Sequence, residues 1–491
     1  MHNNDKFRSL RRQYPSFEYV AYHHEDSPEG LRLWFDFRMG DIEFHPTALV
    51  ERRPFLDFNA AIDDIVFNIG MVELVSYWKC ACPPTVKVLC GSLSDSQIAF
   101  WRKLYWHGLG EFFYTNGIDA SFDDYMHLNG YKTAGEQHQI LPTGVPSARP
   151  TTHYPLSTHY LVPIGGGKDS VVTLELLRRA GRSVRPLIMN PRGATVECAR
   201  VAGFPVEEVL VIRRTIDPVL LDLNKQGYLN GHTPFSAMLA FYTHLASVLS
   251  GIPNVALSNE SSANEPTVLV RDRSGANENK WDSVNHQYSK SLEFEDDFRN
   301  YCINAATCKC VSADAPATDA ITHSRNNAFN YFSFLRPLTE LQIAMLFSRF
   351  TAYHDVFRSC NVGSKQDIWC GHCAKCLFAY IILSPFISPE RLNAIFGKPM
   401  LDDMSLRTEF LQLTGHAETK PFECVGTVSE VNAALSMAIE RWYPASRPAL
   451  LKDFATGPIP PADTLHSVAA IGNLTAEERQ ILQAACTEKT N

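Results

Sequence analysis

The run Ile164-Gly165-Gly166-Gly167-Lys168-Asp169-Ser170 follows an apolar segment and opens a helical one. Glycines let a ligand approach the backbone closely, and the first N–H groups of a helix attract anions, so the run reads as a phosphate cradle. A Walker A loop would need Gly at position 162 and Ser or Thr at 169, which are Val and Asp. A dinucleotide fingerprint would need Gly at 170, which is Ser. Further on, Ser258-Asn259-Glu260-Ser261-Ser262-Ala263-Asn264-Glu265 offers hydroxyls, amides and two carboxylates; the alternative is a capped surface loop. Asn285 to Ser291 and Leu292 to Glu295 combine His286 and Glu295 as bases, the cation Lys290 and several hydroxyls. Glu293, Glu295, Asp296 and Asp297 read equally well as a solvated helix face. Cys360, Cys370, Cys373 and Cys376 have the tight spacing that lets thiolates share one tetrahedral zinc ion. Reduced thiols without metal and redox chemistry are the alternatives, and Cys302, Cys308 and Cys310 have no obvious fourth partner.

These residues need a scaffold, and the pattern supplies one. Residues 17–22 and 31–37 alternate apolar and polar around a turn at Ser27-Pro28-Glu29-Gly30, as paired strands do. Helices are expected over 60–79 and 94–114; Ser94 and Gln97 have capping-box spacing, and Trp101, Leu104, Tyr105, Gly108 and Phe112 fall near one face, as core or as a substrate wall. Four prolines within 141–157 mark a boundary. Beyond it, strands at 159–164, 184–189, 207–212 and 254–258 alternate with helices at 170–180, 195–202 and 236–250. That order implies a parallel sheet, with ligands at the strands' carboxyl ends, after residues 164, 189, 212 and 258. The expected fold class is α/β, divided into an N-terminal α+β domain (1–155), a parallel-sheet nucleotide domain with the cysteine knuckle (156–395) and a mostly helical tail (396–491) for which packing is the expected role.

Gly166, Gly167, Asp169 and Ser170 resemble, in order, the S-G-G-x-D-S loop of the N-type ATP pyrophosphatases (the PP-loop superfamily), with Gly165 in place of its first Ser. The resemblance implies ATP cleavage to AMP and pyrophosphate by adenylation of a carbonyl or carboxyl oxygen. It implies ATP ligands among Gly165, Gly166, Gly167, Lys168, Asp169, Ser170 and Asn259. Asn190 follows the second strand, where this family lays adenine, and Arg336 lies in a similar R-P-L segment. Mg²⁺ bound to ATP takes one or two carboxylates, making Asp169 and Glu260 its candidates. The cysteine knuckle is similar to that of the 7-cyano-7-deazaguanine synthases, in the same superfamily.

His232-Thr233-Pro234-Phe235-Ser236, the runs 257–264 and 284–291, and Cys370-Gly371-His372-Cys373-Ala374-Lys375-Cys376 look like the UDP-N-acetyl-α-D-muramoyl-L-alanyl-L-glutamate epimerase family, as do 101–106 and 111–114. That resemblance implies ATP-dependent inversion of a terminal L-Glu on a UDP-muramoyl dipeptide, for peptidoglycan synthesis. It makes His232 and His286 the candidate acid and base, with Lys290 and Glu260 beside them, because an imidazole titrates near neutral pH. The rivals are an adenylating enzyme for a nucleobase or tRNA and a nonenzymatic nucleotide sensor.

The whole chain has 491 residues, 45% hydrophobic and 20% charged, with a net charge of −8. This is the composition of a folded chain and discourages a nucleic-acid partner. The expected local positive pocket for ATP and a UDP-sugar draws on Lys168, Arg271, Arg273, Lys290 and Arg336. No apolar run approaches the roughly 18 residues of a membrane helix, and the basic N-terminus precedes no apolar leader; the expectation is a cytoplasmic protein with thirteen cysteines mostly as thiols.

Overall fold

The computed structural model describes residues 3–130, 158–269, 283–307 and 329–488. The proline-rich stretch 141–157, Arg271, Arg273, Cys308 and Cys310 lie outside the described residues. The strands are β1 (Ser16–Ser27), β2 (Gly30–Met39), β3 (Ile42–Phe44), β4 (Thr47–Glu51), β5 (Thr85–Val88), β6 (His127–Gly130), β7 (His159–Pro163), β8 (Ser183–Met189), β9 (Leu210–Thr215), β10 (Asn254–Leu257), β11 (Val268–Leu269), β12 (Ser283–Val284) and β13 (Asn330–Ser333). Among the described residues, eleven of them form one sheet in the order β13-β10-β7-β8-β9-β4-β2-β1-β5-β6, with β3 beside β2; β11 and β12 pair separately.

The segment β13-β10-β7-β8-β9 is parallel throughout. Successive strands run from β7 toward β9 on one side and toward β10 and β13 on the other. The switch point therefore falls between β7 and β10, where open α/β sheets form their ligand crevice. Helices Lys168–Arg179, Gly193–Val201 and Phe235–Ser250 join these strands, and Gly251 closes the last in the left-handed region at φ 67°. Two boundaries differ from the sequence reading. The third expected strand begins at Leu210 because Val206–Glu208 forms a 3₁₀ turn, and a helix, Pro218–Lys225, capped by Asp217, intervenes before Phe235.

The sheet does not stop at residue 155. β4 pairs antiparallel with β9, placing Val50 opposite Ile212, and β2, β1, β5 and β6 continue the sheet beyond it. Strand alternation divides the interior into two cores. Leu161, Leu187, Leu210, Ile212, Val255 and Leu257 point to one face, packing with residues from before position 130 such as Phe35, Trp78, Trp101 and Tyr105. Tyr160, Val162, Ile188, Val209, Val211 and Ala256 point to the other, packing with Phe347, Leu377 and Leu435. This is the period of two expected of strands covered on both faces.

The expected helix over 60–79 is Asp63–Trp78. The one over 94–114 opens with the Ser94–Gln97 capping box but breaks at Leu109 into Asp95–Gly108 and Gly110–Thr115. Its aromatics are core: Trp101 is fully buried, donating its indole N–H to the Tyr301 hydroxyl at 3.1 Å. A buried ion pair joins the early and parallel parts. Arg214 on β9 meets Glu73 in bidentate fashion at 2.5 and 2.6 Å, and the Tyr242 hydroxyl donates to the same carboxylate at 3.1 Å. No helix among the described residues is long and apolar enough to cross a membrane.

Candidate functional site

A cavity of about 530 Å³ opens at the carboxyl ends of β7, β8 and β10. Three of the four strand ends singled out from the sequence border it; Arg213 and Arg214, near the end of β9, turn instead to Glu51 and Glu73. Its wall includes Gly165, Gly167, Asp169 and Ser170 of the glycine loop, with Asn190, Asn259, Glu260 and Lys290. Gly167 starts helix Lys168–Arg179 without a side-chain cap, so that the first-turn N–H groups remain to meet an anion.

The three glycines are not equivalent. Gly166 has φ 81°, and a Cβ there would lie 3.0–3.1 Å from Ala194 and Thr195, so position 166 needs glycine on both counts. A Cβ on Gly165 would meet nothing within 4 Å. Gly166 and Lys168 are absent from the cavity wall. Lys168, expected among the ATP ligands, turns inward, where its ammonium pairs with Asp169 and the buried Glu340. Burial raises the Glu340 carboxyl to about 8 even against that lysine.

Arg336 is likewise placed behind the wall. It is fully buried and donates to the backbone carbonyls of Glu260, at 2.6 Å, and Lys290, with Glu295 at 3.5 Å. It ties together the two loops that present Glu260 and Lys290. Asn190 holds a left-handed backbone at φ 51°, its side-chain carbonyl accepting from the Arg214 N–H at 2.7 Å. Among the described residues, the cations that border the cavity are Lys290, Arg192 and Lys375. Of the described residues expected to form a positive pocket, Lys290 is among them, while Lys168 and Arg336 are spent on internal carboxylates and carbonyls. Glu293 and Asp297 pair with Lys103, each at 2.7 Å, and Glu295 accepts from the Ser333 N–H; they hold the helix Leu292–Thr307 in place.

His232 and His286 come together. Their rings are 4.7 Å apart, and both Nδ1 atoms meet one Glu111 carboxylate, His232 at 3.1 Å. The buried Lys79 fixes the first loop by donating to the carbonyl of Gly231 and the hydroxyl of Thr233. The two imidazoles are driven apart in acidity. Burial, together with the neighbouring His286 charge, lowers His232 to about 4. Burial would lower His286 too, but hydrogen bonds to Cys424 and Glu111 outweigh it and raise it to about 9. At neutral pH His232 is a free base and His286 an imidazolium, a pairing suited to acid and base roles.

Neither histidine borders the cavity; Cys424 does. Its Sγ accepts from Lys290 Nζ at 3.0 Å, and its carbonyl accepts from Lys375. Burial would raise this thiol, but Lys290, His286 and Lys375 bring it down to about 6. The segment is held from both sides. Glu423 accepts from Asn361 at 2.6 Å, and the Thr427–Glu430 capping box starts helix Val428–Trp442 while Glu430 also receives the Glu340 N–H. The region after residue 395, expected only to pack, thus supplies a wall residue. Glu111, Lys375, Arg192 and Cys424 carried no assigned role in the sequence reading; the one signal was that Glu111 and Lys375 lie in the segments resembling the epimerases.

The four knuckle cysteines converge. Their sulfurs lie within 4.8 Å of one another, with Cys373–Cys376 at 3.5 Å, Cys370–Cys376 at 3.7 Å and Cys360–Cys373 at 3.9 Å. Tetrahedral zinc thiolate sites have S···S edges of about 3.8 Å, given Zn–S bonds of about 2.3 Å. The Gly363 N–H also donates to Cys360 Sγ at 3.1 Å. The donor set and its spacing fit a zinc ion. His372 is exposed, its ring nitrogen engaged with the Cys370 carbonyl.

Residues 8–311 match the family model of the MurL N-terminal domain and residues 356–455 that of the MurL C-terminal domain. No solved structure gives a significant match. The chain is 36% identical to a UDP-N-acetyl-alpha-D-muramoyl-L-alanyl-L-glutamate epimerase of Salinispora tropica, over 78% of this chain and 74% of that protein. It is 33% identical to one of Xanthomonas oryzae pv. oryzae, over 81% and 80%, and 34% identical to one of a Micromonospora species, over 78% and 76%. The glycine loop, both histidines, the knuckle and Cys424 all fall within the matched residues, and the chain belongs to the UDP-N-acetyl-alpha-D-muramoyl-L-alanyl-L-glutamate epimerase family.

Proposed function

We propose that this protein is an ATP-dependent isomerase that inverts the terminal L-Glu of UDP-MurNAc-L-Ala-L-Glu through an acyl-adenylate, releasing AMP and pyrophosphate, in the cytoplasmic stage of peptidoglycan synthesis. The observation that carries this reading is one cavity lined by an uncapped helix N-terminus, two carboxylates and Cys424, whose thiol hydrogen-bonds to His286 of the Glu111–His232–His286 cluster behind the wall. A free carboxylate resists loss of its α-proton, because a second negative charge would form beside the first. Adenylation removes the carboxylate charge and turns the carbonyl into an electron sink. The glycine loop and the first turn of helix Lys168–Arg179 hold the phosphates of ATP so that the substrate carboxylate attacks the α-phosphate, as in PP-loop enzymes. Arg192, Lys290 and Lys375 neutralise the departing pyrophosphate and the UDP moiety. Asp169 and Glu260 would hold Mg²⁺, which when bound shields phosphate charge. Cys360, Cys370, Cys373 and Cys376 would hold a structural Zn²⁺ that fixes the chain around Lys375.

The Glu111–His232–His286 cluster, which reaches the cavity through Cys424, governs transfer of the α-proton, with His232 neutral and His286 charged. The test is incubation with Mg·ATP and UDP-MurNAc-L-Ala-L-Glu in deuterated water, measuring pyrophosphate, glutamate configuration and deuterium at the α-carbon. Pyrophosphate with inversion is expected. Pyrophosphate with some other carboxyl or nucleobase substrate and no inversion would point to a different adenylating enzyme, and none with any substrate would leave a nucleotide sensor. Singly replaced His232→Ala and His286→Ala proteins should lose deuterium exchange far more than pyrophosphate release; undiminished exchange in both would remove the histidines from the mechanism.

A further inference from the structure

The two histidines expected to move the proton do not reach the cavity wall, and a side chain hydrogen-bonded to one of them does. We propose that Cys424, acting as a thiolate, is the catalytic residue that exchanges the proton with the glutamate α-carbon on one face, and that His286 and Glu111 act behind it as positioning residues. This rests on the adenylation and inversion reading given above.

The geometry supports a proton carrier rather than a packing thiol. Cys424 borders the same cavity as Gly165, Asp169 and Glu260, the groups that would surround the activated carboxyl. Lys290 Nζ sits 3.0 Å from its sulfur and His286 hydrogen-bonds to it, so two cations face one thiol. Lys375 approaches from the knuckle side, and the adjoining Glu423 is turned toward Asn361. Beyond His286 lie Glu111 and His232; beyond Lys290 lie Glu260 and Asp169. Cations beside a sulfur hold it ionised, and a thiolate of near-neutral pKa is suited to both taking and returning a proton. Other thiols in the protein differ. Cys80, Cys82 and Cys302 are buried, and burial outweighs the nearby cations and drives their acidity down.

The step balances. The Cα–H bond breaks, its proton goes to Cys424 Sγ, and its electron pair moves into the adenylated carboxyl as an enolate. A water on the opposite face gives a proton to Cα, closing a new C–H bond and leaving hydroxide. Cys424, which borders the cavity, then gives its proton to solvent, which neutralises that hydroxide and restores the thiolate. Hydrolysis of the adenylate then releases D-Glu product and AMP.

The test uses Cys424→Ser and Cys424→Ala in the full-length protein with Mg·ATP and the UDP-muramoyl dipeptide. Deuterium exchange at the glutamate α-carbon should fall on the order of 100-fold or more, while single-turnover pyrophosphate release falls less than about 10-fold. Equal losses in both readouts would make Cys424 a structural or ATP-site residue, and retained exchange would overturn the proposal directly. A parent protein that forms pyrophosphate and inverts glutamate while Cys424→Ser does the same refutes only this inference; a parent that does neither refutes the reading beneath it as well. A second measurement reads the thiol of the parent protein directly. Alkylation of Cys424 in the parent protein by iodoacetamide, followed by mass spectrometry, should reach half its maximal rate near pH 6, and Lys290→Met should move that midpoint up by about one unit or more. A midpoint in the parent above about 8, as for an ordinary thiol, would overturn the proposal.

Discussion

The glycine loop and the histidine–cysteine cluster border one another yet are built in opposite ways. The loop is seven consecutive residues, and its behaviour is local: a strand ends, Gly166 takes a backbone conformation closed to other residues, and a helix begins uncapped. The cluster takes Glu111 from a short helix in the first third of the chain, His232 and His286 from two loops, and Cys424 from the region after the knuckle. Backbone dipoles suffice to attract a phosphate. Tuning proton carriers needs charges fixed a few ångströms apart in a buried setting, and only distant segments brought together provide that. The acidities of His232, His286 and Cys424, at about 4, 9 and 6, are properties of the assembly and of none of its parts.

The strongest way to break this contrast is Glu111→Gln. The carboxylate shared by both histidines disappears while the loop is untouched, so α-deuterium exchange should fall by about 10²–10⁴-fold with ATP affinity nearly preserved. A loss of only a few-fold would show that the histidines do not act as a unit. Next in size, Arg336→Met should cost about 3–5 kcal/mol of unfolding free energy, because it strands the buried Glu295 and two backbone carbonyls. Denaturant melts would measure this, and since Arg336 braces both Glu260 and Lys290, adenylation and inversion should weaken together. The pH profile of kcat/KM should be a bell. It rises through about 6 as Cys424 ionises and falls through about 9 as His286 gives up its proton, with about a tenfold loss per unit beyond either limb. The smallest effects separate the glycines. Gly166→Ala forces a left-handed alanine against Ala194 and should weaken ATP binding about tenfold, the equivalent of roughly 1–2 kcal/mol of strain. Gly165→Ser enters open space and should bind ATP at least as well, measured by isothermal titration; a large loss there would mean the loop is shaped by more than Gly166.

Sequence patterning was sufficient for the parallel sheet, because strands buried on both faces read as short apolar runs and glycine closes the helices between them. It also located the glycine loop, the polar segment after β10 and the cysteine spacing, whose sulfurs are brought together by a short stretch of chain. The boundary read at the prolines was a different matter. The early strands alternate as an antiparallel sheet does whether they stand alone or add to another edge, so the pairing of β4 with β9 left no mark in composition. Lys168 and Arg336 show the same gap within the site. Each has the residue type of a phosphate ligand, and what directs them inward is Glu340 and two carbonyls far along the chain. Cys424 is the extreme case, a single cysteine with no motif around it. Local backbone conformation and periodicity are written into neighbouring residues. Which charges share a low-dielectric pocket, and so which groups carry protons, is set only when the chain has closed on itself.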